Sequence, residues 1–145
     1  MKSQSEEIIV NNALAQKGPL LKILIVDDNI EAAKTLGWMI EALGYEPQVT
    51  YSAGEALEKA RVFLPHVILM DIGMPGMNGY ELCQTLKQSP DFRRTVFIAQ
   101  TGWDPDKNEA ISKEAGFDHY LVKPVSLKTL EELLAKTTAG FNDDQ

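Results

Sequence analysis

A single cysteine, two histidines and the absence of any long apolar run set the first limits on this chain of 145 residues. Cys83 has no second cysteine to pair with, so no intramolecular disulfide can form. It falls within a helical pattern and reads as a small buried apolar residue, which points to a reducing compartment. No stretch approaches the roughly 18 consecutive apolar residues of a membrane span. Glu6 and Glu7 stand where a secretion signal would need a basic and then an apolar run. The expectation is a cytoplasmic protein with no membrane partner. Positive charge is also scarce: 14 Lys and Arg against 21 Asp and Glu leave a net charge of −7. That balance argues against nucleic acid as a partner, because duplex affinity comes mainly from cations on phosphates. It suits a protein that recruits a cation or docks on basic partners. His66 and His119 open different strands and have no second Cys or His beside them, so they read as structural residues.

What is present is ordinary in amount and informative in order. An apolar share of 44% and a charged share of 24% match a globular protein, and the length suits one domain. Met1 to Leu20 is polar, ends at Gly18-Pro19 and reads as a flexible leader with one apolar cluster at Ile8, Ile9 and Val10. From residue 21 to 138 short β-type runs alternate with helical patterns. Ile23–Val26 is continuous enough for a strand covered on both faces. Ile30, Ala33, Leu36, Ile40 and Leu43 then recur at helical spacing, with Gly44 as the stop. Gln48–Tyr51 reads as a second strand, and Ser52 with Glu55 forms a capping box that opens a helix to Phe63. Val67–Met70 is a third strand, 71–78 a Gly-rich loop, Gly79–Lys87 a helix and Val96–Gln100 a fourth strand. Asp104-Pro105 begins a helix that Gly116 closes. Tyr120–Val122 is a fifth strand, and Ser126 caps a last helix with Leu127, Leu130, Leu133 and Leu134 inward. Residues 139–145 are left as a tail. Trp38, Met39, Phe63 and Phe117 read as core or helix-packing residues.

Five strands alternating with five helices predict an α/β fold, a parallel sheet with helices on both faces. Ligands of such sheets bind outside the carboxyl ends of the strands. The chain puts polar chemistry at those ends. Asp27 and Asp28 follow the first strand, Asp71 the third, Thr101 the fourth and Lys123 the fifth. Three carboxylates within a few ångströms raise one another's pKa unless a cation intervenes. An oxygen-only site with few protein ligands suits Mg²⁺. A hydroxyl at Thr101 and an ammonium at Lys123 complement a transferring phosphoryl group. A carboxylate can itself be the nucleophile, giving an aspartyl-phosphate. Asp71, at the head of a Gly-rich loop, is the leading candidate.

At these residues the chain resembles the receiver domain of two-component response regulators. The likeness runs from about Lys22 to Thr137 and rests on four segments. They are Ile-Leu-Ile-Val-Asp27-Asp28-Asn29, Val-Ile-Leu-Met-Asp71-Ile-Gly-Met-Pro75-Gly-Met-Asn-Gly79-Tyr-Glu-Leu, Thr101-Gly102, and Ala-Gly-Phe-Asp-His-Tyr120-Leu-Val-Lys123-Pro124. The resemblance implies a (βα)5 flavodoxin-like fold with strand order 2-1-3-4-5. It implies that Asp71 takes a phosphoryl group from the phosphohistidine of a sensor histidine kinase. Asp27, Asp28, Asp71 and the main-chain carbonyl of Gly73 would position Mg²⁺, and Thr101 and Lys123 would contact the phosphoryl oxygens. Lys123-Pro124 is expected to be cis. Tyr120 matches the family's aromatic switch, which turns inward as Thr101 moves. The face formed by the helix after Asp104, the fifth strand and the last helix would then change its preference for partners. Such a domain is not an enzyme on other substrates; it catalyses only its own phosphoryl transfer and dephosphorylation.

Gly73 and Trp103 flank the site where the family pattern is open, and they bear on phosphoryl lifetime: Gly73 offers no polar group, and Trp103 can lay an apolar ring over the phosphoryl group. Gln100, before Thr101, replaces the usual apolar residue. The sequence after the last helix contains no output domain, so the expected partner is a downstream target protein or a histidine phosphotransferase. The segment Ala-Gly-Phe-Asp-His-Tyr is similar to receivers attached to hybrid kinases. Two other readings fit the residues less well. A phosphatase of the haloacid dehalogenase type would need Asp-x-Asp, where Asp71 is followed by Ile72 and Gly73. A degenerate receiver used only for binding would not need the acidic pair, Thr101 and Lys123 together.

Overall fold

The computed structural model describes residues 20–72, 79–102 and 116–143. Strand β1 (Lys22–Val26) leads into helix α1 (Ile30–Ala42), strand β2 (Glu46–Thr50) and helix α2 (Ala53–Phe63). Strand β3 (Val67–Asp71), helix α3 (Gly79–Lys87) and a 3-10 turn at Pro90–Phe92 follow. Strand β4 (Val96–Thr101), strand β5 (His119–Val122) and helix α4 (Leu127–Asp143) complete the described chain. The five strands form one parallel sheet in the order β2-β1-β3-β4-β5. The expected fold and strand order are therefore present. The helix expected between Asp104 and Gly116 lies outside the described residues, as does the leader through Pro19.

Local chemistry explains the element boundaries. The Asn29 side chain accepts a hydrogen bond from the Ala32 N–H (3.0 Å), satisfying a free donor at the start of α1. Ser52 accepts from the Glu55 N–H (3.2 Å), and the Glu55 carboxylate reaches back to the Tyr51 N–H (3.0 Å). Ser126 accepts from the Thr129 N–H (3.2 Å) at the head of α4. Leu64 ends α2 in the left-handed region at φ 52°, next to Pro65, which cannot continue a helix.

The sheet divides two apolar layers. On one face Leu24, Ile68, Phe97 and Ala99 pack against α2 and α3 through Ala56, Ala60, Phe63 and Leu82. On the other, Ile23, Ile25, Leu69 and Ile98 pack against α1 and α4 through Leu36, Ile40, Leu130 and Leu134. Burying such a side chain stabilises by about 1.5–3 kcal/mol relative to leaving it exposed. With both faces covered, β1 and β3 are apolar without alternation, as their sequences imply.

Four expectations are corrected by the packing. Trp38 is 70% exposed, because the buried positions of α1 are Ala33, Leu36, Gly37 and Ile40 and Trp38 lies on the opposite side of the helix. Ile30 and Leu127 are about half exposed, and each is the first residue of its helix. Strand β2 begins at Glu46 rather than Gln48, with Pro47 tolerated because β2 is an edge strand. Helix α4 continues through residues 139–143. Its extension is tied down: Thr138 donates to the Leu134 carbonyl (2.7 Å) and lies 3.4 Å from the Tyr45 hydroxyl. Phe141 stands edge-on to His66 at 5.1 Å between ring centres, and Leu21, Leu64 and Phe141 line one depression at the amino edge of the sheet.

Candidate functional site

The parallel register brings the polar strand ends together. Asp27 follows Val26 of β1, whose partner Met70 on β3 precedes Asp71. Asp71 in turn pairs with Gln100 on β4, and Thr101 pairs with Val122 on β5, which precedes Lys123. Asp27 is fully buried, Asp28 is exposed and Asp71 is partly buried. One oxygen from each of these three carboxylates lies within 4.8 Å of the others.

Lys123 reaches across this cluster. Its ammonium donates to Asp27 Oδ2 at 3.1 Å and to Asp71 Oδ2 at 3.4 Å. The Lys123 N–H is bonded to the Thr101 carbonyl, and the Lys123-Pro124 peptide is cis as expected. Burial holds the Asp27 carboxyl above its ordinary pKa, against the Asn29 N–H and the Lys123 hydrogen bond, while the Asp71 charge adds to the rise. Burial alone would lower Lys123, but the hydrogen bond to Asp27 and the charges of Asp27 and Asp71 outweigh it and hold the ammonium above its usual range. The Asn29 N–H donates to Asp27 Oδ1 at 3.0 Å and fixes the carboxylate in place. Thr101 is buried at the end of β4. Tyr120 is half-buried and packs on the layer that contains Phe97 and Phe117.

The structure thus brings together Asp27, Asp28, Asp71 and Lys123, with Thr101 beside them at the same edge. Gly73 and Trp103 lie outside the described residues. His66 and His119 sit at the opposite edge, and His66 Nδ1 accepts from the Lys22 N–H (2.9 Å), a structural role. The depth at which Gln100 is buried was not legible in the sequence. It is 1% exposed, and its Nε2 has no hydrogen-bond partner, one of two such side-chain atoms among the described residues. A polar residue at the fourth inward position of an apolar strand was the available signal. The donor set fits a hard divalent cation, being all oxygen and mutually close.

Comparison with known proteins agrees with this geometry. The family model for the response regulator receiver domain matches residues 23–135. The polar-differentiation response regulator DivK of Brucella ovis is 36% identical over 112 residues, covering 77% of this chain and 91% of its own. The Vibrio cholerae chemotaxis protein CheY4 superposes with a TM-score of 0.77 at 28% identity, over 81% of this chain and 98% of its own. The receiver domain of a signal transduction histidine kinase from Syntrophus aciditrophicus gives a TM-score of 0.74 at 31% identity, over 82% of this chain and 90% of its own. The chain belongs to the response regulator receiver domains of two-component signalling. Receivers of this kind are signalling switches rather than metabolic enzymes. Among the described residues, no helix is long and apolar enough to cross a membrane.

Proposed function

We propose that this protein is a phosphorylation-activated switch in which Asp71 accepts a phosphoryl group from a histidine kinase. The observation that carries this reading is the Lys123 ammonium bridging Asp27 and Asp71 inside a cluster of three carboxylates. A lone buried carboxylate pair would be costly there. A cation held on one side of this cluster and a phosphoryl group arriving on the other would use every one of these charges.

In the proposed step an Asp71 carboxylate oxygen attacks the phosphorus of the kinase's phosphohistidine in line. The new O–P bond forms as the P–N bond breaks, and the departing imidazole takes up a proton. Mg²⁺, held by Asp27, Asp28, Asp71 and the Gly73 carbonyl, would neutralise charge on the phosphoryl oxygens. Lys123 supplies a compact positive charge to one oxygen and Thr101 a hydroxyl donor to another. Reversal of the switch is attack by water on phosphorus, which releases inorganic phosphate and restores the Asp71 carboxylate.

The phosphoryl group carries roughly 1.5–2 negative charges in place of the single charge of the Asp71 carboxylate, and Thr101 and Lys123 meet them by moving inward. That motion opens room for Tyr120, a two-state change worth about 1–3 kcal/mol, as in other allosteric couplings. The face around β5 and α4 then binds a downstream target protein, or the phosphoryl group passes on to a histidine phosphotransferase. On this reading the protein works in the cytoplasm, in keeping with its single unpaired cysteine.

The test is acetyl phosphate with Mg²⁺, read by intact mass. Wild type gains one phosphoryl group, and Asp71→Asn gains none. Undiminished labelling of Asp71→Asn would remove Asp71 as the acceptor. Turnover of general phosphomonoesters with Mg²⁺ would favour the dehalogenase-type reading instead.

A further inference from the structure

Glycine is a poor helix residue, yet Gly79 opens α3 and is buried. A Cβ at this position would lie 2.6 Å from the Asp71 carbonyl oxygen, 2.7 Å from Ile72 Cα and 3.1 Å from the Asp71 carbonyl carbon. All three are main-chain atoms, so no change of side-chain rotamer relieves the overlap. Two other helical glycines behave differently. A Cβ at Gly37 would meet the Val49 Cγ2 at 3.3 Å and the Ile25 Cδ1 at 3.9 Å, both side-chain tips. A Cβ at Gly54 would meet nothing within 4 Å.

The peptide that Gly79 touches is gripped from its other side as well. The Ile72 N–H donates to the Gln100 carbonyl of β4 at 3.3 Å. The main chain at Asp71 and Ile72 is therefore held between β4 and the first residue of α3. From there the Asp71 side chain reaches the Lys123 ammonium at 3.4 Å and shares the carboxylate cluster with Asp27 and Asp28.

We infer that Gly79 is a positioning residue for phosphoryl transfer. Its missing side chain lets α3 seat directly on the Asp71–Ile72 peptide, and that seat sets where the Asp71 carboxylate stands relative to Asp27, Asp28 and Lys123. A methyl group here must push the two segments apart, and about 1 Å of misplacement is enough to slow a positioned reaction on the order of a hundredfold. The inference rests on the reading of Asp71 as the acceptor.

The experiment compares Gly79→Ala with Gly37→Ala and Gly54→Ala in the full chain. Two quantities are read: the rate of labelling by acetyl phosphate, and the Mg²⁺ concentration at half-saturation of amide chemical shifts without any phosphodonor. Gly79→Ala is also made in the Gly54→Ala background, where an open position gains helix propensity, so that lost stability does not stand in for lost positioning. The expected result is a ten- to hundredfold slower labelling and a raised Mg²⁺ midpoint for Gly79→Ala in both backgrounds. Gly37→Ala and Gly54→Ala stay within twofold of wild type in both. A folded Gly79→Ala protein with wild-type rate and midpoint overturns the inference, even if its melting temperature has fallen. Wild type that takes no label at all removes the acceptor reading on which the inference stands.

Discussion

The two edges of the sheet handle polar groups in opposite ways. At the amino edge Lys22, His66, Thr95 and Asp118 each bond to main-chain groups. His66 accepts from the Lys22 N–H, the Lys22 ammonium donates to the Phe63 carbonyl at 3.1 Å, and the Thr95 hydroxyl donates to the Pro65 carbonyl at 2.9 Å. Asp118 accepts from the Phe97 N–H at 2.9 Å, and its own N–H donates to the Phe97 carbonyl at 2.8 Å. At the carboxyl edge the polar groups face one another: three carboxylates and an ammonium share a few ångströms, and burial holds Asp27 above its usual pKa. One edge uses polarity to close the fold. The other keeps charge in conflict, ready to be resolved by a cation and an anion from outside. Polar residues at strand ends are thus not equivalent: Asp27 also takes a main-chain donor from Asn29, but what sets the carboxyl edge apart is the charged side chains gathered beside it.

The largest test of this contrast is a metal titration. If the carboxyl edge holds unresolved charge, Mg²⁺ at a hundred times its Kd stabilises wild type by about 2.7 kcal/mol. Asp28→Asn reduces that gain, and variants at the amino edge keep it; denaturant melts with and without Mg²⁺ read the effect. An equal gain in Asp28→Asn would break the comparison. Next is Asp118→Ala, which strands the buried Phe97 N–H and costs about 1.5–3 kcal/mol in stability, the range for hydrogen bonds to charged groups. Its acetyl-phosphate labelling rate stays within twofold of wild type. A large loss of labelling would show that the edges are not independent.

The smallest effect concerns pH. Burial, with the charges of Lys22 and Arg94, lowers the His66 pKa below its ordinary value. A group lowered on folding binds its proton better in the unfolded chain. The contribution of His66 is therefore intact above about pH 6.5 and declines as the pH falls from there toward the folded pKa. The Nδ1 that accepts from Lys22 must be neutral, which gives the same sign. Denaturant midpoints between pH 7.5 and 5.5 should fall more in wild type than in His66→Asn. Equal falls would remove His66 as a source of the slope.

Much of both edges could be read from the chain before the structure. The apolar runs Ile23–Val26 and Val67–Met70 lack alternation because both faces are covered, and the regular alternation of such runs with helical patterns implies a parallel sheet with helices on either side. Strand ends then had to converge, so Asp27, Asp28, Asp71, Thr101 and Lys123 were legible as one site. What was illegible depended on direction and distance. Trp38 looked like core by residue type, but type does not say which side of α1 faces the sheet. The end of α4 was hidden because Thr137-Thr138-Ala139-Gly140 resembles a helix exit, whereas Thr138 is held by Leu134 and Tyr45 across the fold. The bridging of Asp27 and Asp71 by Lys123 depends on side-chain geometry that spacing cannot supply. So does the close seat of Gly79 on Asp71.

The depression shared by Leu21 and Phe141 has a practical reach. Leu21 and Phe141 meet there at a rear corner of the sheet, on the side away from the carboxylates. A fluorophore attached to a side chain in that corner would stand behind the sheet and leave the carboxyl edge open to a visiting histidine. That corner is in effect the back of a plug, and experiments that must tether the protein can grip it there without covering the socket face.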